Sequence, residues 1–120
     1  MAHYQLGWLL AKTDNHELAL FEYQCAIDLK SNYLDACYQH GIVQQILGDL
    51  TGAYADFSCC LDIDPKYAPA YYQRGKINIQ LGDRAGAIAD YHQAAKLYLD
   101  RGDSKTYQQI LQTIDRIPVI

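Results

Sequence analysis

The phrase YQLG begins at Tyr4, YQHG at Tyr38 and YQRG at Tyr72, so one four-residue frame returns twice at an interval of 34. Only its third place changes. On a 34-residue ruler the chain divides into units at about 1–33, 34–67 and 68–101 without insertion. The columns Ala2/Ala36/Ala70, Gly7/Gly41/Gly75 and Ala19/Ala53/Ala87 hold fixed, as does the aromatic column Tyr23/Phe57/Tyr91. Ala26/Cys60/Ala94 and Leu29/Ile63/Leu97 add a small and an apolar column. A period of this size marks a solenoid, in which each unit buries its apolar face only against its neighbours.

Within a unit the apolar spacing is helical. Ala36, Ile42, Val43, Ile46 and Leu47 recur at three- and four-residue steps, and so do Ala53, Phe57, Cys60 and Leu61. Gly48-Asp49 and Gly82-Asp83 separate the runs, Gly permitting a left-handed stop and Asp capping the next helix. Asp14-Asn15 serves as a weaker turn in the first unit, and Pro65 closes the second. The sequence therefore predicts three helix–turn–helix units. Gly41 and Ala53 fall where the paired helices cross, with Phe57 filling the space beside them.

These columns resemble the tetratricopeptide repeat, and the segments LDACYQHGIVQQILGDLTGAYADFSCCLDIDP and APAYYQRGKINIQLGDRAGAIADYHQAA carry the likeness. The resemblance covers residues 1–101 and implies an all-α, right-handed α-solenoid. Ser31 and Leu99 replace the unit-ending Pro, and His3 and Cys37 replace a large aromatic. These departures bear on how sharply the chain turns between units.

Residues 103–117 predict a capping helix, started by Asp103 or Ser104, with Tyr107, Ile110, Leu111, Ile114 and Ile117 as its apolar stripe and Pro118 ending it. One domain over 1–117, complete at its C-terminal side, is the expectation. The first helix starts almost at Met1 without a cap residue, which leaves a longer parent protein open.

Half of the 120 residues are hydrophobic, a fifth are charged, and the formal charge is −4. A mild acidic balance speaks against nucleic acid, where basic patches supply most of the affinity, and Lys12 and Lys76 alone add little. No apolar run reaches the ~20 residues of a membrane span. The N-terminus shows no basic segment, apolar stretch or cleavage site, so a cytoplasmic location is the default. No nucleic acid and no membrane is expected among the partners.

Phosphate-binding, dinucleotide, nucleophile-elbow and zinc-protease motifs are absent from the sequence, and neither metal nor cofactor is expected. His3, His16, His40 and His92 fall at different places in their units. Glu22, Asp56 and Asp90 recur as a column, with Asp28 and Asp62 beyond them, and read as a solvated second-helix face. Cys25, Cys37, Cys59 and Cys60 form no CxxC pair and read as small packing residues. The chain reads as a non-enzyme.

The resemblance further implies that the first helices line a concave binding side. That side would carry Tyr4, Gln5 and Trp8, then Tyr38, Gln39 and Ile42, then Tyr72, Gln73 and Lys76. Tyr offers flat apolar area with a hydroxyl, and Gln both donates to and accepts from a peptide backbone. Core packing is the competing reading of the Tyr column. Tyr71 sorts the two, since it cannot share a face with Tyr72 and fits a wedge against the preceding unit. Replacing Tyr38 and Tyr72 by Ala is expected to weaken partner binding with little loss of stability. Some family members grip acidic C-terminal tails with a Lys/Asn/Arg clamp; here the corresponding places hold Tyr4, Trp8, Gln39, Pro69 and Gln73. A protein or peptide partner is expected, with self-association into a homo-oligomer or a longer solenoid as the alternative.

Overall fold

The computed structural model describes residues 2–30 and 33–118. The expectation placed on Ser31, the turn closing the first unit, lies outside the described residues; the first helix starts at His3, and Ala2 before it makes no side-chain cap. Seven helices and no strand occupy those described: α1 His3–Lys12, α2 His16–Leu29, α3 Leu34–Ile46, α4 Leu50–Ile63, α5 Ala68–Gln80, α6 Arg84–Asp100 and α7 Ser104–Asp115. Two compact units divide them, residues 1–65 with α1–α4 and residues 66–120 with α5–α7.

Each tight turn inside a helix pair is built the same way. Asp49 N–H donates to the Gln44 carbonyl at 2.9 Å and Asp83 to Asn78 at 2.8 Å, six-residue closures that satisfy orphan carbonyls, and the turn from α6 to α7 repeats them with Asp103 to Tyr98 at 2.9 Å. The residue before each Asp is left-handed, with φ 85° at Gly48, 83° at Gly82 and 81° at Gly102. In the first pair Asp14 takes this conformation at φ 63°, and Asn15 N–H reaches the Leu10 carbonyl at 2.8 Å. The expected Asp14-Asn15 turn thus forms without Gly. Asp49, Asp83 and Asp103 then cap α4, α6 and α7 by accepting from Gly52, Gly86 and Thr106 N–H, whereas Asn15 makes no side-chain cap.

Proline ends one helix, α4. The backbone at Asp64 is extended (φ −138°, ψ 97°), as the residue before Pro65 must be, and α4 stops at Ile63. Leu99 imposes no such stop, and α6 runs on to Asp100, 17 residues in all.

In residues 1–65 the core gathers Ala19, Tyr23 and Val43, with Tyr4, Leu10, Ala11 and Leu20 against them. Val43 of α3 is thereby buried on the first helix pair. In residues 66–120 Ala87, Tyr91, Ala94, Ala95, Ile110 and Ile117 form the centre. The stripe expected of the last helix is largely used: Tyr107, Ile110, Ile114 and Ile117 join this core, while Leu111 is half-buried outside it. The helix is shorter than the sequence suggests, ending at Asp115, so Ile117 packs from the following turn. Tyr71 packs on the same centre, against helices of its own unit.

The glycine columns have a steric cause. A Cβ on Gly7 would stand 2.9 Å from Tyr23 Cδ1, on Gly41 2.8 Å from Phe57 Cε1, and on Gly75 2.9 Å from Tyr91 Cε1. Gly in the first helix makes room for the ring in the second.

Candidate functional site

The same three rings also receive the Tyr column. Tyr4 tilts on Tyr23 with centroids 5.7 Å apart, Tyr38 on Phe57 at 5.6 Å and Tyr72 on Tyr91 at 5.5 Å, with interplanar angles of 50–58°. Tilted aromatic pairs at such distances add stabilisation beyond their buried area. Each Tyr is half-buried, one side on its partner ring. The two readings of the Tyr column therefore combine: packing holds the rings, and part of each stays open. The expectation that Ala at Tyr38 or Tyr72 costs little stability needs correcting, because each substitution removes a ring contact.

Tyr4 additionally stacks on Tyr33 at 5.3 Å and 29°. Burial first, then the charges of Asp35 and Tyr33, raise its phenol pKa above the usual 10.0. Deeper in, burial and secondarily Tyr4 push Tyr23 up to about 12, and burial with Tyr72 does the same to Tyr91.

The remaining expected residues differ in exposure. Trp8 is 45% exposed, and Lys12 Nζ stands 4.4 Å from its ring centroid, a cation–π contact. Lys76 is exposed with Nζ 5.9 Å from the Tyr72 ring, and Ile42 is half-buried. The Gln column is uneven. Gln5 is exposed and its Oε1 accepts from Ala2 N–H at 3.4 Å, beginning α1 from within. Gln39 and Gln73 are half-buried, and Gln73 Oε1 is enclosed without a hydrogen-bond partner.

Sequence reading missed part of the surface around Tyr72. A cavity of about 240 Å³ is lined by Tyr72, Tyr98, Thr106, Gln109, Ile110 and Thr113. Three polar side chains of α7 thus face a Tyr from the first helix of the third pair. The ruler already carried the signal, since Thr106 lies 34 residues after Tyr72. α7 stands in the register of a fourth first helix, as well as covering the core.

The acidic column is a correction. It is not a solvated face: Glu22 Oε2 lies 2.5 Å from His3 Nδ1, and Asp56 Oδ2 lies 2.6 Å from His40 Nδ1. Asp90 is buried, accepting from Arg74 Nε at 2.9 Å, Arg74 Nη2 at 2.8 Å and Asn78 Nδ2 at 2.9 Å. Each carboxylate bonds across its own helix pair. Asp28 and Asp62 are exposed, as expected.

Among the described residues no group of three or more His, Cys, Asp or Glu could hold a metal ion, and no helix is long and apolar enough to cross a membrane.

A family model described as tetratricopeptide repeat matches residues 2–33 and 68–101, together more than half of the chain. No curated protein matches the chain significantly by sequence. Among solved structures, the type III secretion translocator chaperone SycD of Yersinia enterocolitica superposes with a TM-score of 0.88 at 17% identity, over 96% of this chain and 80% of that one. PcrH in complex with the chaperone binding region of PopD gives 0.88 at 18% identity, over 96% and 87%. The first such domain of Spaghetti (RPAP3), bound to the HSP90 peptide SRMEEVD, gives 0.79 at 18% identity, over 94% and 90%.

Proposed function

The chain belongs to the tetratricopeptide repeat family, and from that membership we propose that it is a non-catalytic, cytoplasmic scaffold that binds a peptide segment or partner helix. The cavity beside Tyr72 carries the reading. It is large enough for one apolar side chain, and Thr106, Gln109 and Thr113 offer hydroxyl and amide groups for the backbone around it. Within residues 66–120 the proposed contacts are Tyr72, Gln73 and Lys76; within residues 1–65, taken by themselves, they are Tyr4, Gln5, Trp8, Tyr38, Gln39 and Ile42. Support comes from the fold's relatives, of which PcrH is seen with a region of PopD and RPAP3 with a peptide.

Peptides selected from a displayed random library test this. Thr113→Val together with Gln109→Ala, which leave the Tyr72–Tyr91 ring contact intact, should weaken the selected peptides tenfold or more, about 1.4 kcal/mol. Unchanged affinity would reject the cavity as the site.

Self-association is the second reading, favoured by one register. Val43 and Ile77 are 1% and 0% exposed, but Leu9, in the same column, is 46% exposed. Phe21 and Leu18 on α2 are also exposed, at 64% and 58%. Exposed apolar area of this kind marks interfaces. Light scattering across micromolar concentrations, with Leu9→Glu as the control, separates a monomer from an assembly built on this surface.

A further inference from the structure

In the α3–α4 pair, Cys37 and Cys59 bring their sulfurs to 3.6 Å. Cys37 is 2% exposed, and Cys59 is half-buried and open to small reagents. The pairing is particular to this helix pair. In the first pair the same two columns hold His3 and Cys25, and in the third Tyr71 and Gln93. Only the central pair has sulfur at both.

We propose that Cys37 and Cys59 are a redox-modification site, closing to a disulfide that staples α3 to α4 when a low-molecular-weight disulfide such as oxidised glutathione is the oxidant. The Cys59 thiolate attacks one sulfur of the oxidant, forming a mixed disulfide and releasing one glutathione thiolate. Cys37, deprotonated, then attacks Cys59 Sγ and expels the second. Two cysteine thiols lose their protons to two glutathione thiolates, so one disulfide is reduced and one is formed.

The neighbours favour this pairing over others. Cys60 Sγ points to the Leu34 carbonyl oxygen at 3.9 Å and is fully buried. Consecutive residues of a helix project in different directions, so a Cys59–Cys60 bond would need α4 to unwind. Burial above all, then the hydrogen bond with Cys59, pushes the Cys37 thiol up to about 12. The second step is therefore slow at neutral pH and quickens as pH rises. Tyr38 adjoins Cys37 in α3, so the staple fixes a helix that carries part of the proposed binding surface.

Incubating the reduced chain with oxidised glutathione at mildly alkaline pH, followed by intact-mass and peptide mapping, tests the proposal. The expected product has lost two hydrogen atoms, links Cys37 with Cys59, and melts about 5 °C or more above the reduced form. It should form in Cys60→Ser and Cys25→Ser but not in Cys59→Ser, with circular dichroism confirming that each variant folds. Stable glutathionylation of Cys59 without closure, a Cys59–Cys60 or Cys25 linkage, or a wholly reduced chain would each overturn it.

Discussion

Arg74 and Asp90 join α5 to α6 through two parallel hydrogen bonds of 2.9 and 2.8 Å, and Asn78 adds a third to the same carboxylate. The carboxylate is buried, so removing its partners leaves a charge without solvent. Breaking one side of such a pair costs far more than exchanging both sides for apolar groups. Arg74→Leu should destabilise the chain by about 3 kcal/mol or more in urea unfolding. Adding Asp90→Leu and Asn78→Leu should recover most of that loss, since Leu6 and Leu10 fill the Arg74 and Asn78 registers of the first pair and no buried polar group is then left without its partner. A triple variant as unstable as the single one would show that packing, not charge, sets the cost.

Gly41 and Phe57 set the spacing of the central pair. A methyl at residue 41 would enter the ring at 2.8 Å, so Gly41→Ala should cost about 1–3 kcal/mol in chemical unfolding. Phe57→Leu beside it should restore part of the loss by freeing that volume. Gly48→Ala is the contrast: nothing lies within 4 Å of its Cβ, and only the φ of 85° opposes it. That penalty, about 1 kcal/mol, should not respond to Phe57→Leu.

Alkaline pH acts through Tyr23 and Tyr91. Both are raised from 10.0 to about 12 by burial, so the unfolded chain gives up these protons first. The stability they contribute is complete below pH 10 and falls as pH rises from 10 towards 12. Absorbance titration of phenolate should show two late tyrosines, with Tyr23→Phe and Tyr91→Phe each removing one. Ionisation of all tyrosines together near pH 10, with the fold intact, would contradict this.

The peptide SRMEEVD offers a discriminating ligand. Its terminal carboxylates call for cations, and the clamp positions here hold Tyr4, Trp8, Gln39, Pro69 and Gln73. Fluorescence anisotropy should detect no saturable binding at micromolar concentration. Tight binding would mean that a lysine now held by a ring, Lys12 at Trp8 or Lys76 at Tyr72, supplies the missing charge.

The helix pairs and their turns were legible because each signal is local. Gly48-Asp49 and Gly82-Asp83 announce a left-handed stop and a cap, and the turn geometry uses them so. Even the Gly-to-ring contact could be anticipated, as small and large columns repeat in step. The Asp56–His40 bond could not. Its partners are 16 residues apart on different helices, and their meeting depends on how α3 and α4 are rotated about their axes. The surface at α7 was missed for another reason: the last helix was read as a cover, although Thr106 continues the Tyr72 register.

By itself, then, the 34-residue period determined the three helix pairs, their stops and the small residues at each crossing, because backbone geometry and close packing act over one or two turns of chain. Only the tertiary structure decided which polar groups lost their water and found partners, such as Asp90, and which equivalent apolar positions were covered. Val43 is buried and Leu9 is not, although both occupy one column. Burial belongs to a residue's neighbours in space, and a repeated letter does not carry its neighbours with it.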